Sequence, residues 1–143
     1  MKRFISITTV LITTLWLTTS CTHNNGDIGI WFGTWKITSI ERNGETVSSY
    51  RGNMFFLFQT TMFEMREAEH DHFVNETFGQ WSEENDILTI SFPDAEYQPL
   101  YTMTTMGFTA TNHLKIISRS SSHVTLQLTT TDCTYTYYLK KWG

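Results

Sequence analysis

Cysteine and proline are nearly absent from this 143-residue chain, with two of each, and the shortage removes several classes of protein. A disulfide-stapled scaffold uses four or more cysteines. A zinc ribbon needs paired Cys-x-x-Cys spacings, which Cys21 and Cys133 do not form. Alanine is also scarce, occurring only as Ala68, Ala95 and Ala110, whereas threonine, aromatic and β-branched residues dominate from Trp31 onward. Helix propensity is therefore low and strand propensity high. Positive charge is thin where negative charge is dense: from Glu64 to Glu96 ten acidic residues stand against Arg66 alone. Phosphate backbones are held by clustered lysine and arginine, so nucleic acid is not an expected partner. The acidic stretch reads as solvated strand edges and turns, with a cation or basic-protein site as the alternative. Hydrolase and nucleotide signatures are missing too, with no Gly-x-Ser-x-Gly elbow, phosphate-binding glycine loop or His-Glu-x-x-His helix. The expectation is a protein that is not an enzyme and uses no cofactor.

No apolar run reaches the ~20 residues that span a bilayer. The run from Phe4 to Leu17 is preceded by Lys2 and Arg3 and followed by Thr18-Thr19-Ser20-Cys21, the charged start and small-residue exit of an export signal. It resembles a bacterial lipoprotein signal, in which cleavage precedes a cysteine that then carries the lipid, although Leu17 stands one residue further from the cysteine than is usual there. That resemblance implies a signal peptide over residues 1–20 and lipidation, including palmitate-type acylation, at Cys21. Several acyl chains suffice for anchoring where one is marginal, each buried methylene contributing about 0.8 kcal/mol. Thr22 is not the aspartate associated with retention at the inner membrane, so the expected location is the outer membrane, with either leaflet open. The alternatives are a freely secreted protein, an uncleaved anchor, or a Cys21–Cys133 disulfide in place of the lipid.

Without residues 1–20 there remain 123 residues, one domain's worth and enough to enclose a core. Eight basic residues then face fourteen acidic ones, a net charge of −6. Thr22 to Asp27 is polar and reads as a tether, so that residues 21–29 link the lipid to a domain over residues 30–143.

Alternation with a period of two marks the strands. Leu88, Ile90 and Phe92 oppose Thr89 and Ser91; Val124, Leu126 and Leu128 oppose Thr125, Gln127 and Thr129; Tyr135, Tyr137 and Leu139 oppose Thr134, Thr136 and Lys140. Further strands are expected at Trp35–Arg42, Met54–Phe58, Met62–Arg66, Phe73–Trp81, Leu100–Thr105 and Leu114–Arg119. Asn43-Gly44 suits a primed hairpin turn, and Pro93 and Pro99 fall outside central strands. About eight or nine antiparallel strands joined by short turns, with no helical crossover, form a meander that must close or stack to lose its edges. The expected fold is all-β, an up-and-down antiparallel barrel of about eight strands. Such a barrel is filled by side chains or holds one small ligand.

Phe32-Gly33-Thr34-Trp35 opens the first long strand, and Gly79-Gln80-Trp81 repeats the Gly-x-Trp pattern. Glycine permits close backbone approach, and an indole two residues later can plug a barrel end while its N–H finds a partner. With the closing Tyr137-Tyr138-Leu139-Lys140-Lys141-Trp142, the chain over residues 30–142 resembles the lipocalins, and in particular the small lipocalin-like lipoproteins of Bacteroides-type bacteria. Lys140 and Lys141 occupy the late basic position where that family carries arginine. The resemblance implies a lipid-anchored envelope protein whose barrel takes a small apolar ligand.

Met54, Met62, Met65, Met103 and Met106, with Phe55, Phe56, Phe58, Phe63 and Tyr101, would supply a soft apolar lining, and the same residues could equally be a filled core. The candidate ligand contacts are Trp35, Met54, Phe56, Phe58, Met65, Trp81 and Met103, with Trp35 and Trp81 also read as plugs. The alternative function is a protein-interaction module of the envelope that uses the barrel as a scaffold. His70 and His72 would share a face if extended, but two ligands do not make a metal site, and no metal is expected.

Overall fold

The structure is a computed structural model, and it describes residues 29–94 and 106–143. The signal, Cys21, Tyr101, Met103 and the expected strand Leu100–Thr105 lie outside the described residues. A 3-10 turn, Gly29–Trp31, leads into β1 (Gly33–Arg42), β2 (Glu45–Thr46), β3 (Met54–Phe58), β4 (Met62–Glu69), β5 (His72–Glu84), β6 (Ile87–Ser91), β7 (Thr111–Arg119), β8 (His123–Thr129) and β9 (Thr134–Trp142). Every pairing is antiparallel, the order from β3 to β9 follows the chain, and β1 pairs with both β3 and β9. The result is an eight-stranded closed barrel with the two-residue β2 as a short hairpin arm on β1. Closure removes the free edges that the meander would otherwise expose.

Turn chemistry sets the register. Asn43 and Gly44 adopt φ values of 52° and 82°, the double positive φ of a primed turn. Asn85 and Asp86, at 52° and 60°, form the equivalent turn between β5 and β6. Glu83 and Glu84 therefore belong to β5 rather than to the connection.

Bulges shift the inward phase. In β1 the buried residues are Trp35, Ile37 and Ile40, because the register against β9 slips between Ile37 and Ser39. The extra residue, Thr38, donates its hydroxyl to the Tyr138 carbonyl at 3.0 Å. A second slip, between Ile116 and Ser118 in β7, ends that strand's inward row of Asn112, Leu114 and Ile116.

Because successive strands run in opposite directions, the connections alternate between the two ends of the barrel. At one end lie the Gly29–Trp31 turn and the short connections 59–61, 85–86 and 120–122. The other end carries 43–53, 70–71, 92–94, 106–110 and 130–133. The core is continuous from one end to the other, including Trp31, Trp35, Phe56, Phe58, Phe63, Met65, Leu88, Ile90, Leu126 and Tyr137.

Two of the apolar residues expected to line the interior lie elsewhere. Met62 is 49% exposed. Phe55 alternates with the inward Met54, Phe56 and Phe58 and stands on the outer wall, where it meets Phe73 and Trp142. A strand that reads Met-Phe-Phe-Leu-Phe is apolar on both faces, so its sequence does not reveal which residues point inward.

Candidate functional site

The interior is dense where it is described. Trp35, Phe56, Phe58 and Met65 are fully buried, Met54 and Trp81 nearly so. Six of the seven candidate ligand contacts thus share one continuous core, and Met103 lies outside the described residues. Trp35 and Trp81 converge at the Trp31 end with Phe58. Trp31 lies 6.3 Å from Trp35, 5.1 Å from Phe58 and 6.4 Å from Trp81 between ring centroids. Such tilted pairs each contribute about 0.5–1.5 kcal/mol beyond area burial. Each indole N–H has a partner: Trp35 donates to the Trp31 carbonyl at 3.0 Å, Trp81 to the Gln59 carbonyl at 2.6 Å, and Trp31 to Glu83 at 3.4 Å. Glu83 is also bound by Arg119, which reaches Asp86 at 2.7 Å. Trp31 was not among the sequence candidates, although the apolar Ile30-Trp31 pair just ahead of Gly33 was available as a signal.

Lys141 completes this plug. Its ammonium sits 4.7 Å from the Trp35 ring centroid and donates to the carbonyls of Ile30, at 3.2 Å, and Phe32. Burial pulls its pKa below the usual lysine value. Of the two lysines in the late basic position, Lys141 is the one that closes over the indole, while Lys140 is exposed.

At the opposite end, Tyr50 crosses the mouth. Its hydroxyl donates to the Ile37 carbonyl at 2.6 Å and accepts from the Met54 N–H at 3.1 Å. Burial pushes the phenol pKa up to about 12, opposed by the Met54 N–H. Beneath it is a cavity of about 50 Å³ touched by Ile40, Met54, Glu67 and Met106. A water-sized void is about 30 Å³, so this space takes a small group and no more. Tyr137 donates to the Met106 carbonyl, and burial holds its pKa well above the usual phenol value. One inward hydroxyl, Thr77 Oγ1, is the buried side-chain polar atom without a hydrogen-bond partner among the described residues. Cys133 is a free, buried thiol in the turn before β9, and a hydrogen bond from Tyr135, then Thr130 and Arg42, draw its pKa down against burial.

The outer wall offers more room. A groove of about 440 Å³ is lined by Lys36, Arg51, Asn53, Phe55, Glu69, His70 and Trp142 among others. It arises because β9 and β3 flank β1, which places Trp142, Lys36 and Phe55 side by side. Phe55 meets Phe73 and Trp142 edge-on at centroid separations of 5.8 and 5.5 Å. Lys36 Nζ lies 5.0 Å from the Trp142 ring and 6.0 Å from Phe55. Arg66 lies over Phe73 at 4.9 Å and forks onto Glu64 at 2.6 and 3.1 Å, with Glu76 at 3.8 Å. Two of the ten acidic residues thus gather around Arg66, while Arg51 approaches Glu67 and Arg119 holds Glu83 and Asp86. Phe73, Phe78, Met62 and Trp142 are exposed large apolar side chains of the barrel wall. His70 sits in the turn at φ 55°, and His72 pairs with Glu69 across it. No group of three potential metal ligands occurs among the described residues.

Comparison with known proteins decides the family. A family model described as a lipocalin-like domain matches residues 15–141. The chain belongs to this lipocalin-like family. Among solved structures it is similar to a lipocalin-like protein from Bacteroides uniformis, with a TM-score of 0.61 and 20% identity over 80% of this chain and 100% of that one. It is also similar to an uncharacterized protein from Bacteroides eggerthii, with a TM-score of 0.60 and 15% identity over 78% of this chain and 99% of that one. No curated protein matches. The lipocalin-like barrel inferred from the two Gly-x-Trp motifs is therefore present, with its Gly-x-Trp indoles in the plug.

Proposed function

We propose that this lipocalin-like protein is a lipid-anchored, non-enzymatic binding protein of the cell envelope, whose barrel serves as a filled scaffold and whose recognition surface is the outer wall around β1, β3 and β9. The observation that carries this reading is the contrast between two spaces. The described interior leaves about 50 Å³ beneath Tyr50, whereas ligand sites run to about 300–1,000 Å³. The groove beside Trp142, at about 440 Å³, falls in that range and joins aromatic walls to polar groups. The anchor rests on Lys2, Arg3, the apolar run and Cys21. Signal cleavage before Cys21 and a tether over residues 21–29 would hold the domain of residues 30–143 at the outer membrane.

A second reading, a small apolar ligand within the barrel, draws on the unpartnered Thr77 hydroxyl and on Met54 and Met106 beside the small cavity. Extraction of natively purified protein followed by mass spectrometry separates the two. The scaffold reading expects no stoichiometric apolar molecule, and a retained one would overturn it in favour of the interior. For the anchor, Cys21→Ser should move the protein from the membrane fraction to the soluble one. Unchanged membrane retention would refute lipidation at Cys21.

A further inference from the structure

We infer that the groove on the outer wall binds a small organic anion that combines a ring with one carboxylate, held by Lys36 and by the Phe55–Trp142 wall. This names the ligand class of the recognition surface and rests on the outer-wall reading above.

The first observation is the state of Lys36. Its ammonium has no carboxylate partner among the described residues and instead lies over the Trp142 and Phe55 rings. Other cations nearby are engaged: Arg66 is forked onto Glu64, and Arg51 approaches Glu67 at 3.6 Å. The Lys36 side chain is half-buried. A cation partly withdrawn from water beside apolar rings, without a counter-ion, gains from an anion more than a fully solvated lysine does. Arg51 also lines the groove but is paired with Glu67, so the anion is taken by Lys36, the cation there that has no carboxylate partner among the described residues.

The second observation is the wall itself. Phe55 packs against Phe73 and Trp142, both edge-on to it, so the apolar wall is assembled before any ligand arrives. Trp142 packs on Phe55 and Lys36 on one side and is 53% exposed on the other, which leaves indole surface open to the apolar face of a ring. Asn53 supplies a side-chain donor and acceptor beside the same space. One ring and one carboxylate satisfy all three features, and the groove, at about 440 Å³, has ample room for a molecule of that size. Two sources share this chemistry, an aromatic acid and an acidic sugar.

The test is calorimetric titration of the purified full chain with phenylacetate and glucuronate, and with benzyl alcohol and glucose as their uncharged counterparts, each to about 10 mM. The inference expects one of the acids to bind and its uncharged counterpart to bind at least about tenfold more weakly. Phenylacetate binding alone assigns the aromatic source, and glucuronate binding alone assigns the sugar. Lys36→Gln should weaken the acid about tenfold, Lys36→Arg should restore most of that loss, and Trp142→Ala should also weaken it about tenfold. Thermal melts of the three variants keep loss of binding separate from loss of fold. If the uncharged probe binds as well, with Trp142→Ala harmful and Lys36→Gln neutral, the anionic class is wrong and the outer-wall reading stands. If binding ignores both positions, the outer-wall reading itself fails. Absence of heat from both acids overturns the inference.

Discussion

Gly79→Ala tests why the second Gly-x-Trp motif needs its glycine. A methyl built on Gly79 would fall inside contact distance of the Ser91 carbonyl oxygen and 2.8 Å from Phe92 Cδ1. Gly79 shows no left-handed φ, so the constraint is space rather than dihedral angle. Ser91 is backbone-paired with Gln80, and its carbonyl cannot withdraw unless β5 and β6 separate at that rung. Overpacking of this kind costs about 1–3 kcal/mol. A weakened rung adds about 1 kcal/mol, and lower chain entropy in the unfolded state offsets about 0.4–1 kcal/mol. The net loss lies between about 1 and about 3.6 kcal/mol and centres at ~2.3 kcal/mol. At ~2.1 cal/mol/K of unfolding entropy per residue, a barrel of this size should melt about 10 °C lower. Calorimetry and urea unfolding of the parent and the variant provide the measurement. Gly44→Ala is the control: Gly44 has φ +82° but open space around it, so only the left-handed conformation is penalised, about 1–2 kcal/mol. Adding Phe92→Leu to Gly79→Ala removes one of the two obstacles and leaves the carbonyl, so recovery should be slight. A cost below about 0.5 kcal/mol for Gly79→Ala, or full rescue by Phe92→Leu, would refute the close-approach argument.

Alkaline titration should expose Tyr50. Its phenol pKa rises from 10.0 to about 12 on folding, so the stability it contributes is complete below pH 10 and is lost as pH climbs through 12. At about pH 11 the parent should have lost on the order of 1 kcal/mol from this group, and denaturant midpoints of Tyr50→Phe should show a smaller alkaline decline. Equal declines would contradict the placement of that hydroxyl. Lys141→Met keeps the alkyl stem while removing the ammonium from two carbonyls and the Trp35 ring, and should cost about 1 kcal/mol, read from the same unfolding curves. Phe63→Ala empties a fully buried site beside Phe56, Phe58 and Phe92, and should cost about 3–5 kcal/mol. A loss under about 1 kcal/mol would mean that this part of the core is loosely filled.

Strand positions were legible wherever apolar and polar residues alternate, as in Val124–Thr129 and Thr134–Lys140, because period-two patterning records one buried and one wet face. The signal fails for Phe55 in β3, where both faces are apolar, and for Met62 at the start of β4, where the buried run Phe63-Glu64-Met65 does not alternate. The polar Glu67-to-His72 segment concealed its strand pairing for the opposite reason. A wall strand beyond the core carries charge on both sides, and only the turn at His70 and Asp71 reveals the hairpin. The plug was half visible. Trp35 and Trp81 stand out through their glycines, whereas Trp31 precedes the strand in a turn, where no periodicity operates. The groove could not be read at all, since Lys36, Phe55 and Trp142 come from three strands and become neighbours only through the β3–β1–β9 pairing.

That pairing also governs when the molecule can exist. Thr34 is bonded opposite Trp142, so the cylinder has one seam, and its two lips are the first and last long strands of the chain. Until the final residues are available, β1 lacks one lateral neighbour and every earlier hairpin belongs to an open, curling sheet. Order of this kind comes late and all at once, since distant pairings carry their loop-closure cost before any reward. On the export route proposed above this would be a convenience, because nothing compact could form midway through the channel and jam it.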